Sequence, residues 1–210
     1  MKNVYKLLVV LFLISLTSQT FAQPTFGIKG GVNFAKMVVE YGDVSAEDYI
    51  KMKLGFQIGG TAEWVINEMF SFEPALLLST KGFKLVVDET GYEYSEKLDL
   101  LYIDIPLNGK VYFDAGGMKV YGLFGPYIGM GLSGKSKWEE DGESGTDDIE
   151  WGSDGDIKRL DFGLTIGAGM NIKGIEVGLS YALGLANLSP DSNDSKLNNR
   201  VLSLTAAMKF

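Results

Sequence analysis

The chain has 210 residues, with 19 Lys and Arg against 27 Asp and Glu, 27 Gly, 5 Pro, and neither Cys nor His. A formal charge of −8 disfavours nucleic acid as a partner, because phosphate backbones are held by basic surfaces. Without Cys no disulfide can brace an exported chain, and without His the usual base of a hydrolase or acyltransferase is missing, so no catalytic role, cofactor or metal set is expected.

The first 23 residues read MKNVYKLLVVLFLISLTSQTFAQ: Lys2 and Lys6, an apolar run from Leu7 to Ile14, a polar stretch, then Thr20-Phe21-Ala22. Charged, greasy and small in that order is a secretory signal, with cleavage expected after Ala22 and residues 23–210 as one mature domain. Losing Lys2 and Lys6 leaves 17 bases against 27 acids.

No later stretch sustains helical apolar spacing; the alternation is two-residue, the period of strands. Eight runs follow in chain order: Phe26 to Phe34, Leu54 to Ile66, Phe70 to Thr80, Leu101 to Phe113, Val120 to Leu132, Leu160 to Ile172, Ile175 to Leu185 and Leu202 to Phe210. In the second, Leu54, Phe56, Ile58, Gly60, Ala62, Trp64 and Ile66 share one face, while Gly55, Gln57, Gly59, Thr61 and Glu63 share the other. Across the eight runs the apolar face carries no charge, and Thr80 and the Tyr181 hydroxyl are its only clearly polar groups. The opposite face, counting residues just before a run, carries Lys29, Lys53, Glu63, Glu73, Asp104, Lys110, Lys119, Asp161, Glu176 and Lys209, five of each sign.

Connections alternate in length. Long segments (35 to 53, 81 to 100, 133 to 159, 186 to 201) follow the odd runs, and tight turns at Asn67-Glu68-Met69, Asp114-Ala115-Gly116-Gly117 and Lys173-Gly174 follow the even ones. This is the plan of an all-β, eight-stranded antiparallel up-and-down transmembrane barrel, with both termini in the periplasm and the last strand closing on the first. The polar face is rich in small residues, as in Gly163, Gly167, Gly169, Gly178 and Gly184. Those suit the crowded inside of a small barrel better than a solvated strand surface, so the apolar face is expected to meet lipid. Phe26, Trp64, Phe70, Phe72, Phe113 and Phe210 fall at the short-turn end as an interfacial girdle. A soluble sandwich or an exported soluble binding barrel is the competing fold, since alternation alone does not separate them.

The stretches FGIKGGVNFAKM (Phe26 to Met37), YIDIPL (Tyr102 to Leu107), GPYIGMGLSG (Gly125 to Gly134), DFGLTIGAGM (Asp161 to Met170) and LSYALGLANL (Leu179 to Leu188) resemble the PorT-like outer-membrane β-barrel family of Bacteroidota. The resemblance implies an outer-membrane location and insertion by the barrel-assembly machinery, with Phe210 as the terminal aromatic assembly signal. It implies no single activity; the founding member is linked to a secretion system.

The ten charged residues read as a paired polar plug beside Tyr102, Tyr112, Tyr121 and Tyr127, with little or no conductance. The segment Lys135 to Asp156 carries nine acids and two bases, with Trp138 and Trp151, and reads as a solvated surface loop; divalent-cation binding is the sharper alternative, although its spacing fails the EF-hand pattern. Residues 81 to 100 keep alternating past the expected membrane with Thr90-Gly91 at the tip, as a protruding hairpin would. The expected protein is a monomer in outer-membrane lipid with a structural or binding role through its extracellular loops, toward an unidentified surface or periplasmic protein. A narrow passive channel or a secretion-associated barrel is the alternative.

Overall fold

A computed structural model describes residues 23–41, 44–45, 50–89, 92–140, 142–191 and 195–210. The expected signal segment, residues 1–22, and the hairpin tip at Thr90-Gly91 lie outside them. The strands are β1 (Thr25–Tyr41), β2 (Val44–Ser45), β3 (Ile50–Lys51), β4 (Lys53–Val65), β5 (Phe70–Glu89), β6 (Tyr92–Asp114), β7 (Lys119–Glu140), β8 (Glu143–Asp148), β9 (Leu160–Ile172), β10 (Ile175–Gly184) and β11 (Ser195–Lys209). Eight of them, β1, β4, β5, β6, β7, β9, β10 and β11, pair antiparallel in that order. The ring closes where β11 meets β1, from Gly27 opposite Lys209 to Tyr41 opposite Ser195. Closure pairs the two edge strands with each other, so the wall has no open edge, which a strand wall in hydrocarbon requires.

The alternation sorts side chains as the sequence suggests. On one face Ile28, Leu160 and Ile166 are 60 %, 63 % and 60 % exposed; on the other, Glu73 and Lys110 are 0 % and 1 % exposed. A band of bare apolar side chains around a charged interior is the inverse of a water-soluble core, and it matches a wall standing in acyl chains. Phe26, Phe70, Phe72, Phe113 and Phe210 are exposed at the turn end, and the Trp64 and Phe72 rings lie 6.4 Å apart. Thr80, the polar residue on the outer face, ties its hydroxyl to the wall itself: Oγ1 accepts from the Phe56 N–H at 2.7 Å and donates to the Phe56 carbonyl at 3.2 Å.

Small residues inside make room for large rings. A Cβ on Gly169 or Gly178 would stand 2.5 or 2.6 Å from the Tyr121 hydroxyl, so both strands must be bare there for that ring to lie across them. The turn between β9 and β10 has φ of 51° at Lys173 and 88° at Gly174, the left-handed pair of a two-residue hairpin.

The loop end differs from the sequence expectation. Segments read as long loops are largely strand, because β5 and β6 continue as a hairpin to Glu89 and Tyr92, and β7 runs on to Glu140 before β8 returns beside it. A register shift between Leu101 and Tyr102, paired with Ser133 and Gly131, lets the bent wall continue. Over the mouth sits a small apolar core of Met37, Leu98, Leu100, Tyr102, Ile157, Ala186 and Leu188, against which Phe83, Ile149, Trp151 and Leu197 pack. Part of the acidic segment is therefore a lid.

Candidate functional site: the barrel interior

Near the turn end, β1, β5, β6, β10 and β11 each send a charged side chain inward, and β4 adds one more. Lys29 reaches Glu73 at 2.5 Å. Lys110 bridges Glu73 (2.5 Å) and Glu176 (2.8 Å). Lys209 contacts Glu63, and also Glu73 at 3.0 Å and Glu176 at 2.7 Å. The Tyr112 hydroxyl donates to Glu63 (2.7 Å) and Glu176 (2.9 Å), and Asn171 donates to Glu176 at 3.1 Å. Three carboxylates face three ammonium groups, and the Lys110 ammonium stands 4.6 Å from the Tyr121 ring centroid. The oxygens of Glu63, Glu73 and Glu176 fall within 4.8 Å of one another, a spacing that would suit a cation; Lys110 and Lys209 already bridge them.

Higher in the lumen, Lys81 binds Asp104 at 2.8 Å and Asp161 at 3.0 Å, with its ammonium 4.6 Å from the Tyr102 ring and 4.7 Å from the Tyr127 ring. Tyr127 and Asn199 donate to Asp161 at 3.1 and 2.9 Å. Between the two clusters, Asn33 donates to Ser79 (3.0 Å) and Ser203 donates to Asn33 (2.9 Å). A cavity of about 60 Å³ there has Lys29 in its wall as well as Lys81 and Asp104. That is room for a few waters only. At the turn end a dish of about 510 Å³ opens inward as far as Lys209 and Glu63.

A third group lies at the loop end. Lys53 pairs with Asp99 at 2.7 Å and donates to the Lys81 carbonyl at 3.0 Å. Lys97 and Lys137 each stand 3.6 Å from the same Asp99 carboxylate. Partial burial works to raise the Asp99 carboxyl, but the hydrogen bond and charge of Lys53, with Lys97 and Lys137 behind it, hold it below the ordinary carboxylate value.

The structure thus gathers Lys29, Glu63, Glu73, Lys110, Glu176 and Lys209 in one cluster and Asp104 with Asp161 in a second, while Lys53 joins neither. Lys119 is a correction: it is exposed at the first residue of β7, on the rim of the dish, and takes no ion pair among the described residues. It stands at a strand end beside a tight turn, where the lumen opens to solvent. Lys81, absent from the sequence reading, is the hinge of the second cluster. It falls one residue past the expected end of its run, yet it continues the inward series Glu73, Ala75, Leu77 and Ser79, a signal available in the alternation. The lid was also missed; Ile149 and Trp151 in the acidic run, and Ile157 just after it, are its traces. Trp151 meets the Tyr102 ring edge-on at 5.5 Å and 89°.

The wall, the plug and the lid describe a small membrane barrel, and comparison with known proteins gives it a family. A profile described as "Outer membrane protein beta-barrel domain" matches residues 21–189. The chain belongs to that family. Among solved structures, this barrel domain is similar to Ail, the attachment invasion locus protein of Yersinia pestis (16 % identity, covering 90 % of this chain and 100 % of that one, TM-score 0.39). It is also similar to Neisserial surface protein A (14 %, 88 % and 97 %, TM-score 0.45) and to the N-terminal β-barrel domain of Pseudomonas aeruginosa OprF (10 %, 90 % and 100 %, TM-score 0.34). No curated protein matches the chain by sequence. Family membership and the bare apolar band place the barrel domain in the outer membrane, where such walls carry short turns on the periplasmic side and longer loops outside.

Proposed function

We propose that this is a closed barrel, a monomer with a structural or binding role exercised through its extracellular end and no catalytic activity. The carrying observation is the stacking, along one lumen, of two buried ion clusters beneath an apolar lid. Moving an ion through means breaking charge-assisted contacts in a low-dielectric interior and displacing the Trp151 lid, each an unfavourable step. The chain has no His to serve as a base, which supports the non-enzymatic reading. Cleavage after Ala22, insertion by the barrel-assembly machinery and the use of Phe210 as its signal belong to the same proposal, as does a surface or periplasmic protein partner. Planar-bilayer recording tests it: the refolded mature protein should give no discrete current steps, and reproducible steps would overturn it.

The second reading, a narrow passive channel, draws support from the cavity between the clusters, which would be a stage on a water path. A secretion-associated role rests on the PorT-like resemblance of Phe26 to Met37 and the other matched stretches. Co-purification from membranes, with Lys135 to Asp156 intact and deleted, separates that role from a purely structural one, since a secretion partner should be recovered with at least one of the two forms.

A further inference from the structure

The interior charges pair with one another, but one row of charges outside the lumen does not. Beyond the membrane the hairpins form a small sheet in which Lys51 lies directly opposite Lys84, Lys84 opposite Lys97, and Lys97 opposite Lys137, with Thr146 of β8 completing the row. Directly paired residues of neighbouring strands project to the same face, and like charges in that position repel. All four lysines are exposed. At the usual spacing between strands the row runs for roughly 14 Å. The one carboxylate in contact with it is Asp99, which Lys53 holds more closely than Lys97 or Lys137 does; Lys51 and Lys84 have no acidic partner among the described residues. In the rows on either side, Lys135 has Asp148 at 3.7 Å, and Glu139 stands between Ser95 and Ser144.

The row is on the outer side of the wall. Leu98, Leu100 and Tyr102 of β6 point inward to the lid core, so Lys97 and Asp99 continue the face of Leu101, Ile103 and Ile105, which are lipid-facing. Ile50 and Leu98, beside the row, are buried on the opposite side. Lys97 precedes Leu101 by four residues, which sets it about 13 Å farther along the tilted strand toward the loop end. That height lets lysine side chains bend back to the layer of lipid headgroups. Four ammonium groups set against one another in an acidic protein, beyond the loop-end edge of the apolar band, are a surface awaiting anions.

We propose that the row Lys51, Lys84, Lys97 and Lys137 binds the phosphates of an outer-leaflet lipid headgroup, so that the barrel holds a phosphorylated lipid against the outside of its extracellular sheet. The site goes beyond the closed-barrel reading and stands whether or not the lumen conducts.

Native mass spectrometry of the full mature protein, extracted from phosphatidylcholine nanodiscs doped with diphosphoryl lipid A or with its dephosphorylated form, tests the site. The protein should retain the diphosphoryl lipid and not the dephosphorylated one. Replacing all four lysines with Gln should cut retention by more than about tenfold, while Gln at Lys119, Lys158, Arg159 and Lys173, an equal loss of charge elsewhere, should leave it unchanged. If the fourfold variant fails to fold, Lys84→Glu alone should lower retention several-fold. Equal retention by either row variant and the parent, or equal retention of the dephosphorylated lipid, would overturn the proposal. So would row-dependent binding of inorganic pyrophosphate or a soluble heparin fragment with no retention of lipid, since the anion would then come from solution.

Discussion

Lys110 shows what a charge costs inside this wall. Its ammonium is buried with two carboxylates, and stands 4.6 Å from the Tyr121 ring centroid and 5.9 Å from that of Tyr112. Deleting one partner of such a group leaves the others uncompensated in a low dielectric, whereas removing the whole group together can be nearly neutral. Lys110→Met should therefore lower unfolding free energy in lipid vesicles by about 3–5 kcal/mol, and adding Glu176→Gln, which leaves Lys29 and Lys209 against Glu63 and Glu73, should recover much of it. Urea titration of the refolded protein measures both. Gly169 has a different constraint: Gly169→Val would push a side chain into the Tyr121 hydroxyl and the Val177 carbonyl, each 2.5 Å from the added Cβ. About 1–3 kcal/mol of destabilisation is expected in the same titration. At Asp99, a carboxyl held below its unfolded value contributes stability above the unfolded pKa of about 3.9, and the contribution is lost as pH falls through the folded value. The stability gap between wild type and Asp99→Asn should be constant at neutral pH and close below about pH 3.9. A gap that persists in acid would show that Asp99 acts through packing.

At the scale of elements, turns and register carry the fold. Lys173 adopts a left-handed φ that favours Asn or Gly. Lys173→Asn should raise stability by up to about 1 kcal/mol without moving the β9–β10 register, readable in the same unfolding assay. The strands themselves were legible because lipid on one side and a filled lumen on the other impose strict alternation. Their loop-end continuations were not, because beyond the hydrocarbon the apolar signal on the outer face stops while backbone pairing goes on. Lys81 was lost for that reason. The lid was hidden for another: Ile149, Trp151 and Ile157 are too few and too scattered among acids to be read as an element, and they become a core only when Met37, Leu100 and Leu188 arrive from distant strands.

On the scale of the whole molecule, the barrel is two surfaces turned inside out. Because the chain is free of Cys, single cysteines can map them. In vesicles, Ile128→Cys should resist a water-soluble maleimide while Thr146→Cys reacts at once; rapid labelling at Ile128 would show that water, not lipid, covers the band. The sequence by itself determined the number of wall strands, which face meets lipid, and where the turns fall, since each is a local consequence of a two-residue period and of Gly or Asn at a reversal. Only the tertiary structure decided which charges pair, that Lys119 stays exposed at the rim while Lys81 is buried, that part of an acidic loop closes the mouth, and that four lysines stand in one row. Those depend on the register between strands far apart in the chain, and a shift of one residue would exchange every partner without changing the pattern of any single strand.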